Sequence, residues 1–411
     1  MNYRFARPDE IPAVARLVAH SFPAANRAPG WFQEHLATPV FGGGPETLLI
    51  GGDERGIAAA CQIHPLRQWV AGEPLHVSGV GTVAISPTHR KQRLGAALVR
   101  AALHAGRERG DVAACLYPFR VSFYRALGFG LAGEAVQVQV ASRALPDSAE
   151  RHRVELLESE TARASALRLY EHWMREQTGQ LERTPGMWTR LFDEEDHALV
   201  GYRAPDGALE GYALGLYRTD LEPGERFLEI DEMVWLTDSA RRGLYGWLAS
   251  LDDQWQQIVL RTLPSHRIGD WLREPRLPRG RAPSWRLWAP AATLLSGPMF
   301  RLLDVRGAFE GRRIEQAPAL ALTLELSDAD IEANVGSWRI ALDAGRATVE
   351  RSGGVDLTLR MDVSTLSRIY IGALPPSAAL AAGLLECDRP ELVPVLDAAL
   401  ALPEPWTFDR F

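Results

Sequence analysis

The chain has 411 residues, of which 46% are apolar and 24% are charged, and its net charge is −7. This length is enough for two or three domains. The negative charge, together with the absence of any run of basic residues, disfavours a nucleic-acid partner and favours cationic ones.

The first ten residues are charged and contain no apolar signal core. The least polar stretch, around 288–300, is too short and too rich in Pro and Gly to span a bilayer. Cys61, Cys115 and Cys387 lie far apart and match neither a disulfide framework nor a metal site. We therefore expect a cytoplasmic protein with reduced cysteines, no metal centre and no membrane segment.

Residues 77–85 predict a β-strand whose alternate residues face opposite sides of a sheet. One face would be formed by Val77, Gly79, Gly81, Val83 and Ile85. The match of Gly79-x-Gly81-x-x-Ala84 to a dinucleotide-binding pattern is attributed to chance, because that pattern follows a strand and does not lie within one.

A helix is predicted next, since Leu94, Leu98, Ala101 and Ala105 recur at helical spacing and Gly110 is a typical C-cap. The loop between strand and helix is 90–95, with the sequence Arg-Lys-Gln-Arg-Leu-Gly. A loop at a helix start has unpaired backbone N–H groups and the positive end of the helix dipole, which favours phosphate. The alternative is a solvated basic turn.

The first domain is predicted at 1–145, ending in the strictly alternating strand Glu134–Ala141, with a linker at 143–147. The second, at 146–285, should contain a helix at 161–175 and strands at 198–203, 209–216 and 227–236. The strand 227–236 and the following segment 237–248 repeat the strand, loop and helix plan of the first domain, but Ala240, Gly243 and Tyr245 occupy the three key loop positions. We interpret it as an internal repeat that has lost phosphate binding.

A Pro- and Arg-rich segment at 275–286 predicts another boundary. The third domain, 286–411, should contain strands at 311–326, 338–342, 347–351 and 355–361, joined by turns at 343–345 and 352–354. Helices are predicted at 363–371, 377–387 and 391–401. Strands covered by helices on one side form an α+β layer. The predicted fold class is therefore α+β, or mixed α/β, in three domains.

The motif Arg90-x-x-Arg93-x-Gly95 resembles the pyrophosphate loop Arg/Gln-x-x-Gly-x-Gly/Ala of the GNAT acetyltransferases. Pro87 before the loop and Ala96-Ala97-Leu98 after it also match, whereas Arg93 stands where the family usually has Gly. A side chain there either crowds the diphosphate or adds a cation to it. The segments 4–20 and 117–129 resemble the family's opening strand and helix and its late Phe-Tyr-x-x-x-Gly-Phe element.

The full length resembles the Eis-like (enhanced intracellular survival) branch, which has a GNAT domain, a degenerate GNAT-like domain and a sterol-carrier-protein-like domain. This resemblance implies acetyl-CoA (coenzyme A) as cofactor and a hexamer. It implies a cofactor site formed by Val83, Ile85, Arg90, Lys91, Arg93, Gly95 and Ala96, and an acceptor pocket with Trp31 and Phe32. Taken alone, Trp31 and Phe32 are equally consistent with a place in the hydrophobic core.

The resemblance also implies that Tyr124 is the catalytic acid, although a tyrosine beside Phe123 and Leu127 can simply pack. For the base it implies the α-carboxylate of Phe411, and aromatic residues up to the very end of a chain favour a docked tail over a frayed one. A terminus packed only on its own domain is the alternative. Internal candidates for the base are Glu34, His35, His64, His20 and His89.

The sequence thus predicts an acetyl-CoA-dependent N-acetyltransferase with direct transfer through a tetrahedral intermediate. Its acceptor would be a cationic amine, namely an aminoglycoside, a polyamine or a lysine side chain, and a homo-oligomer is expected. The alternative is a non-catalytic binding or regulatory module that uses its sterol-carrier-like domain for an apolar ligand.

Overall fold

The computed structural model describes residues 2–38, 40–54, 56–193, 197–218, 227–274, 291–314, 320–343, 345–351, 354–355 and 357–411. These residues form two compact units. The first contains Met1–Gly133, Gln177–Met187 and Pro298–Phe411, and the second contains Glu134–Glu176 and Trp188–Gly297. The predicted boundary at 275–286 and the turn residues 344, 352 and 353 lie outside the described residues.

The N-terminal part of the first unit alternates short helices with long strands. Its elements are β1 (Asn2–Phe5), α1 (Ile11–Ser21), α2 (Pro29–Ala37), β2 (Leu48–Asp53), β3 (Gly56–Val70), β4 (Glu73–Ile85), α3 (Leu94–Arg109), β5 (Ala113–Leu116), α4 (Val121–Arg125) and β6 (Gly130–Leu131). The predicted helix after the loop is confirmed: Leu98 and Ala102, one turn apart, are fully buried in α3 and pack on the sheet. Gly110 ends it in the left-handed conformation.

The second unit is built around β7 (Glu134–Ala141), β8 (Val154–Leu156), α5 (Glu160–Trp173), α6 (Pro185–Asp193), β9 (His197–Arg203), β10 (Leu209–Arg218), β11 (Phe227–Trp235), α7 (Asp238–Ala249), β12 (Gln257–Thr262) and β13 (Thr293–Ser296). Its sheet has the order β13-β7-β12-β11-β10-β9-β8. The strands and the helix predicted between 161 and 236 are therefore confirmed.

The C-terminal part supplies β14 (Met299–Leu302), α8 (Val305–Gly311), β15 (Arg313–Ile314), β16 (Leu320–Ser327), β17 (Gly336–Asp343), β18 (Gly345–Glu350), β19 (Thr358–Asp362), α9 (Val363–Tyr370), α10 (Pro376–Ala381), β20 (Glu386–Cys387) and α11 (Val393–Leu400). Six of these strands form a sheet in the order β15-β18-β17-β16-β19-β20. The predicted helix 377–387 is too long, because Gly383 takes a positive φ of 68° and the chain then pairs with β19 as β20.

Two strands lie in sheets that the sequence does not predict. The first sheet has the order β1-β2-β3-β4-β5-β14-β6, so Met299–Leu302 pairs with β5 far from it in the chain. The strand Glu134–Ala141, predicted to close the first domain, pairs instead with β12 and β13 of the second sheet. The first domain therefore does not end with this strand.

Two buried arginines form stabilising polar contacts in the C-terminal part of the first unit. Arg301 on β14 forms an ion pair with Asp328, at 2.6 Å between fully buried side chains. Arg312 donates to the carbonyls of Tyr370 and Leu400, the last residues of α9 and α11, where the helix dipoles favour a cation. Burial lowers the pKa of Arg312 to about 10, which still leaves it charged at neutral pH.

Candidate active site

The first sheet opens between β4 and β5. The two strands pair in parallel only from Val77 to Gly79, although β4 continues to Ile85. Within the described ranges no strand pairs with this edge of β4 beyond Gly79, so its later N–H and C=O groups can meet a ligand.

A bulge accompanies the opening. Thr82 has a φ of 51°, and the register between β3 and β4 shifts opposite it. The strict alternation predicted for 77–85 is therefore wrong beyond Gly81: Val80 and Val83, three residues apart, pack in the same core cluster. The glycine pattern within this stretch does lie inside a strand.

The basic loop lies at the N-terminus of α3. Lys91 and Arg93 have φ values of 65° and 60°, and Arg93 is the N-cap residue. No described side chain caps this helix, and its first internal hydrogen bond runs from the Ala97 N–H to the Arg93 carbonyl. The N–H groups of Leu94, Gly95 and Ala96 therefore lack intrahelical acceptors.

This arrangement fits a diphosphate. The side chains of Arg90, Lys91 and Arg93 are exposed around the free N–H groups, so three cations surround the positive end of the α3 dipole. The left-handed conformation of Arg93 explains why glycine is usual at this position in the resembled family. Because the Arg93 side chain points to solvent, it leaves the backbone approachable.

We expect Arg93→Gly to weaken coenzyme A binding several-fold at low ionic strength, with a smaller difference at high salt, because an exposed cation is removed and exposed charges are screened. Stability should change by less than about 1 kcal/mol, since relief of the left-handed strain offsets the added freedom of the unfolded chain. Calorimetry at two salt concentrations tests this. Arg93→Lys, which keeps the charge, is the matched control and should bind like the parent; equal loss in both variants would contradict a role for the charge.

Tyr124 lies on α4 in an aromatic cluster. Its ring is 2% exposed and contacts Phe119, Phe123 and Phe129 edge-on at centroid distances of 5.6, 4.9 and 5.9 Å. Burial, with a smaller contribution from Cys61, raises the pKa of Tyr124 to about 12. No hydrogen-bond partner for its hydroxyl lies in the described part of the chain.

The aromatic cluster adjoins the basic loop. A Cβ placed on Gly95 would lie 3.5 Å from Cζ of Phe123. Gly95 therefore lets the start of α3 pack against Phe123 of α4, the helix that carries Tyr124.

The C-terminal residues dock on the first unit, as the aromatic tail predicts. Trp406 donates its backbone N–H to the carbonyl of Thr178 at 2.9 Å, and the Tyr117 hydroxyl donates to the carbonyl of Asp409 at 2.6 Å. Arg183 forms an ion pair with Asp409 at 2.9 Å, with side chains 1% and 11% exposed. A pair this well buried holds its partners firmly, because removing either one leaves an uncompensated charge.

The last residue reaches the opened strand. A Cβ on Gly81 would lie 3.5 Å from the carboxyl carbon of Phe411, and one on Gly79 would lie 3.1 Å from its ring carbon Cδ2. The Phe411 ring also contacts Tyr117, at 5.5 Å between centroids. The two glycines thus leave the space on β4 that the chain terminus occupies, at the point where β4 separates from β5.

The predicted acceptor residues have different environments. Phe32 is 8% exposed and packs in the core with α1, in agreement with the core alternative, and its part in an acceptor pocket stays a prediction. Trp31 is 37% exposed and stacks on His35 at 3.6 Å. Among the candidate bases, His89 lies 3.4 Å from Asp53 at the surface, whereas His64 lies beside Phe411, at 6.2 Å between ring centroids.

In the second unit the N-terminus of α7 is equivalent to the start of α3, but its groups disfavour phosphate. Thr237 caps α7 by accepting the Ala240 N–H, and Asp238 places a carboxylate in the first turn. Tyr245 is fully buried and contacts Trp271 at 5.8 Å. A capped helix with an acidic first turn repels an anion, which agrees with the predicted loss of phosphate binding.

Within the ranges that the structure covers, no group of three His, Cys, Asp or Glu residues could hold a metal ion. None of the described helices is long and apolar enough to cross a membrane.

Family models match three successive parts of the chain. An acetyltransferase (GNAT) domain model matches residues 2–132, a second one matches 179–301, and a sterol carrier protein domain model matches 305–408. The N-acetyltransferase Eis of Mycobacterium tuberculosis is 27% identical over 352 residues, covering 83% of this chain and 82% of its own. The chain therefore contains two GNAT acetyltransferase domains and a sterol carrier protein domain, and it is similar to Eis over most of its length.

An uncharacterized N-acetyltransferase of Streptomyces avermitilis is 26% identical over 365 residues, covering 83% of this chain and 82% of its own. Two solved structures each cover 100% of both chains at 20% identity: a GCN5-related N-acetyltransferase from Anabaena variabilis, with a TM-score of 0.84, and Eis1 from Mycobacterium abscessus, with 0.79. At this identity the two structures establish the Eis-like fold alone.

Sequence reasoning missed the partners of the tail. Arg183 lies 226 residues before Asp409, and neither residue belongs to a motif. No local signal connects the segment 177–183 with the last six residues of this Eis-like chain. Only the two glycines on β4 hint that another part of the chain approaches closely there.

Proposed function

We propose that this Eis-like protein transfers the acetyl group of acetyl-CoA directly to a primary amine of a cationic acceptor. The observation that carries this proposal is the position of the Phe411 carboxyl group against Gly81, where β4 leaves β5. The donor's diphosphate fits the start of α3, and its thioester arm would follow the free edge of β4 at Val83 and Ile85.

Acetyl-CoA supplies the activated acyl group, and the chain supplies groups that handle protons. The amine attacks the thioester carbonyl, the C–S bond breaks, and the leaving sulfur takes a proton. Tyr124 is the proposed proton donor. Since its pKa is raised to about 12 while a thiol titrates near ~8.5, the transfer is uphill unless the thiolate is desolvated or water resupplies the phenol.

The carboxylate of Phe411 is the proposed partner of the acceptor ammonium. Direct abstraction is unfavourable, because an ammonium titrates near ~10 and a C-terminal carboxyl near ~3.5. The negative charge instead attracts and orients the amine, and deprotonation is completed by water or in concert with attack. The net charge of −7 assists in gathering cationic acceptors.

The acceptor class follows from this charge. Aminoglycosides, polyamines and lysine side chains are all cationic primary amines, and they differ in size and in the spacing of their nitrogens. The homo-oligomer, a hexamer by family expectation, and the cytoplasmic location are part of the same proposal. The free state of the three cysteines supports the latter.

Thiol release from acetyl-CoA in the presence of an amine panel tests the proposal. The panel should contain an aminoglycoside, spermidine, a lysine-containing peptide and a neutral alcohol of similar size as the control. We expect thiol release that depends on the cationic amines alone, with acetylated product confirmed by mass spectrometry. If no amine of the panel causes thiol release and the protein binds lipid measurably, the binding-module alternative is favoured.

A further inference from the structure

His64 shares the space above Gly81 with the chain terminus. It lies on β3 opposite Gly79, and its imidazole is 6% exposed. A Cβ on Gly81 would lie 3.3 Å from His64 Nε2 and 3.5 Å from the Phe411 carboxyl carbon. The imidazole nitrogen and the carboxylate therefore face the same Cα, from two elements far apart in the sequence.

The ring is held between aromatic groups. The Phe41 ring lies 5.0 Å from it and the Phe411 ring 6.2 Å, between centroids. Neither ring nitrogen of His64 has a hydrogen-bond partner among the residues described. A water molecule in the space that both groups face can therefore bond to the imidazole.

The environment keeps this imidazole neutral. Burial, and secondarily the positive charge of Arg109, lower the pKa of His64 to about 4. Arg109 is fixed there by hydrogen bonds to the carbonyl of Ile63 and to Asp111. Tyr117, whose ring contacts that of Phe411, has its pKa raised by burial and is a neutral phenol whose hydroxyl donates to the carbonyl of Asp409. The Asp409 carboxylate is paired with Arg183. The imidazole that faces the terminal carboxylate is therefore a neutral donor.

We propose that His64 is a positioning residue whose Nε2–H donates to the Phe411 carboxylate through one water, and so orients that carboxylate toward the acceptor amine. This inference rests on the proposed function. A neutral donor suits the task, because it fixes the carboxylate without cancelling the charge that attracts the ammonium. A cationic partner would compete with the substrate for the same oxygen atoms.

Two substitutions separate this role from simple packing. His64→Leu replaces the imidazole by an apolar side chain of similar size and so removes the donor. The value of kcat should fall about tenfold, with the KM for acetyl-CoA unchanged. His64→Gln places an amide nitrogen near the Nε2 position and should recover most of the lost activity. The surface substitution His104→Leu on α3 is the control and should not change kcat. Equal loss in the Leu and Gln variants would overturn the proposal, as would no loss in either.

A double-variant cycle tests whether His64 acts through the carboxylate. Adding one Gly after Phe411 displaces that carboxylate, so His64→Leu should cause no further loss in the extended chain. Losses that multiply in the combined variant would overturn the proposal. Coenzyme A calorimetry and the melting temperature of each variant check that the fold is intact.

A readout independent of turnover distinguishes this inference from the proposed function. Nitrogen-15 spectra of histidine-labelled full-length protein identify which ring nitrogen carries the proton. An Nε2–H signal of His64 that shifts when the chain is extended supports the contact, and an Nδ1–H tautomer overturns it. If no amine is acetylated by the parent protein, the proposed function fails, while the spectra still decide whether the contact exists.

Discussion

Adding a single glycine after Phe411 is expected to lower kcat about 100-fold while the affinity for coenzyme A stays within about twofold. The added residue converts the terminal carboxylate into a neutral amide at the position against Gly81. In the proposed mechanism the negative charge that orients the ammonium is then displaced along the chain, whereas the groups at the start of α3 that we assign to the diphosphate are unchanged. Steady-state kinetics and calorimetry on the same preparation measure both quantities.

An added residue can also displace the docked tail, so a separate control is needed for the loss of the carboxylate charge. A C-terminal amide made by ligation removes the charge without adding a residue, and should cause a similar loss. The same glycine added before Met1 should have no effect. The chain has 12 tryptophans, so the fluorescence difference between the protein and its Trp406→Phe variant reports whether the tail stays docked through the backbone N–H of residue 406. Full activity of the amidated protein would remove the carboxylate from the mechanism.

Local features of the sequence predict the loop and helix to which we assign the donor. The loop 90–95 and α3 are determined by neighbours within one turn, so spacing and composition are sufficient to recognise them. The left-handed Arg93 is the exception, because arginine has no preference for that conformation, and only the family pattern marks the position.

Features that depend on distant pairing are not predictable in this way. The alternation of β7 predicts a strand, but it carries no information on which sheet the strand joins. The bulge at Thr82 likewise reverses the faces of β4 without a glycine to mark it. The tail could be predicted to dock from its aromatic residues, whereas its ion pair between Arg183 and Asp409 arises only from tertiary structure.

Replacing Tyr124 by phenylalanine is expected to reduce kcat about 100-fold and to leave the KM for acetyl-CoA nearly unchanged. The substitution keeps the ring that packs against Phe119, Phe123 and Phe129, and removes only the hydroxyl. Because no hydrogen bond of that hydroxyl is present in the described ranges, folding stability should be little affected. Tyr245→Phe, at a buried phenol on α7 of the second unit, is the matched control and should leave kcat unchanged.

The raised pKa of Tyr124 predicts how stability and kcat depend on pH. With a value of about 12 in the folded protein and about 10 in the unfolded chain, the phenol stays protonated up to about pH 10. Its contribution to stability is therefore complete below pH 10 and is lost only as the pH rises toward 12. We expect no alkaline fall in kcat from Tyr124 ionisation between pH 7 and pH 10, and a fall that disappears in Tyr124→Phe would contradict the assignment.

Varying the acidity of the leaving thiol tests which atom accepts the proton of Tyr124. If Tyr124 protonates the departing sulfur, its loss should matter less for an acetyl thioester whose thiol is more acidic than the ordinary value near ~8.5, because that sulfur leaves without a proton. The ratio of parent to Tyr124→Phe activity should then fall toward one as the thiol becomes more acidic. An equal ratio for both donors would mean that the hydroxyl acts elsewhere, for example on the carbonyl oxygen, and that the sulfur leaves as a thiolate stabilised by its surroundings.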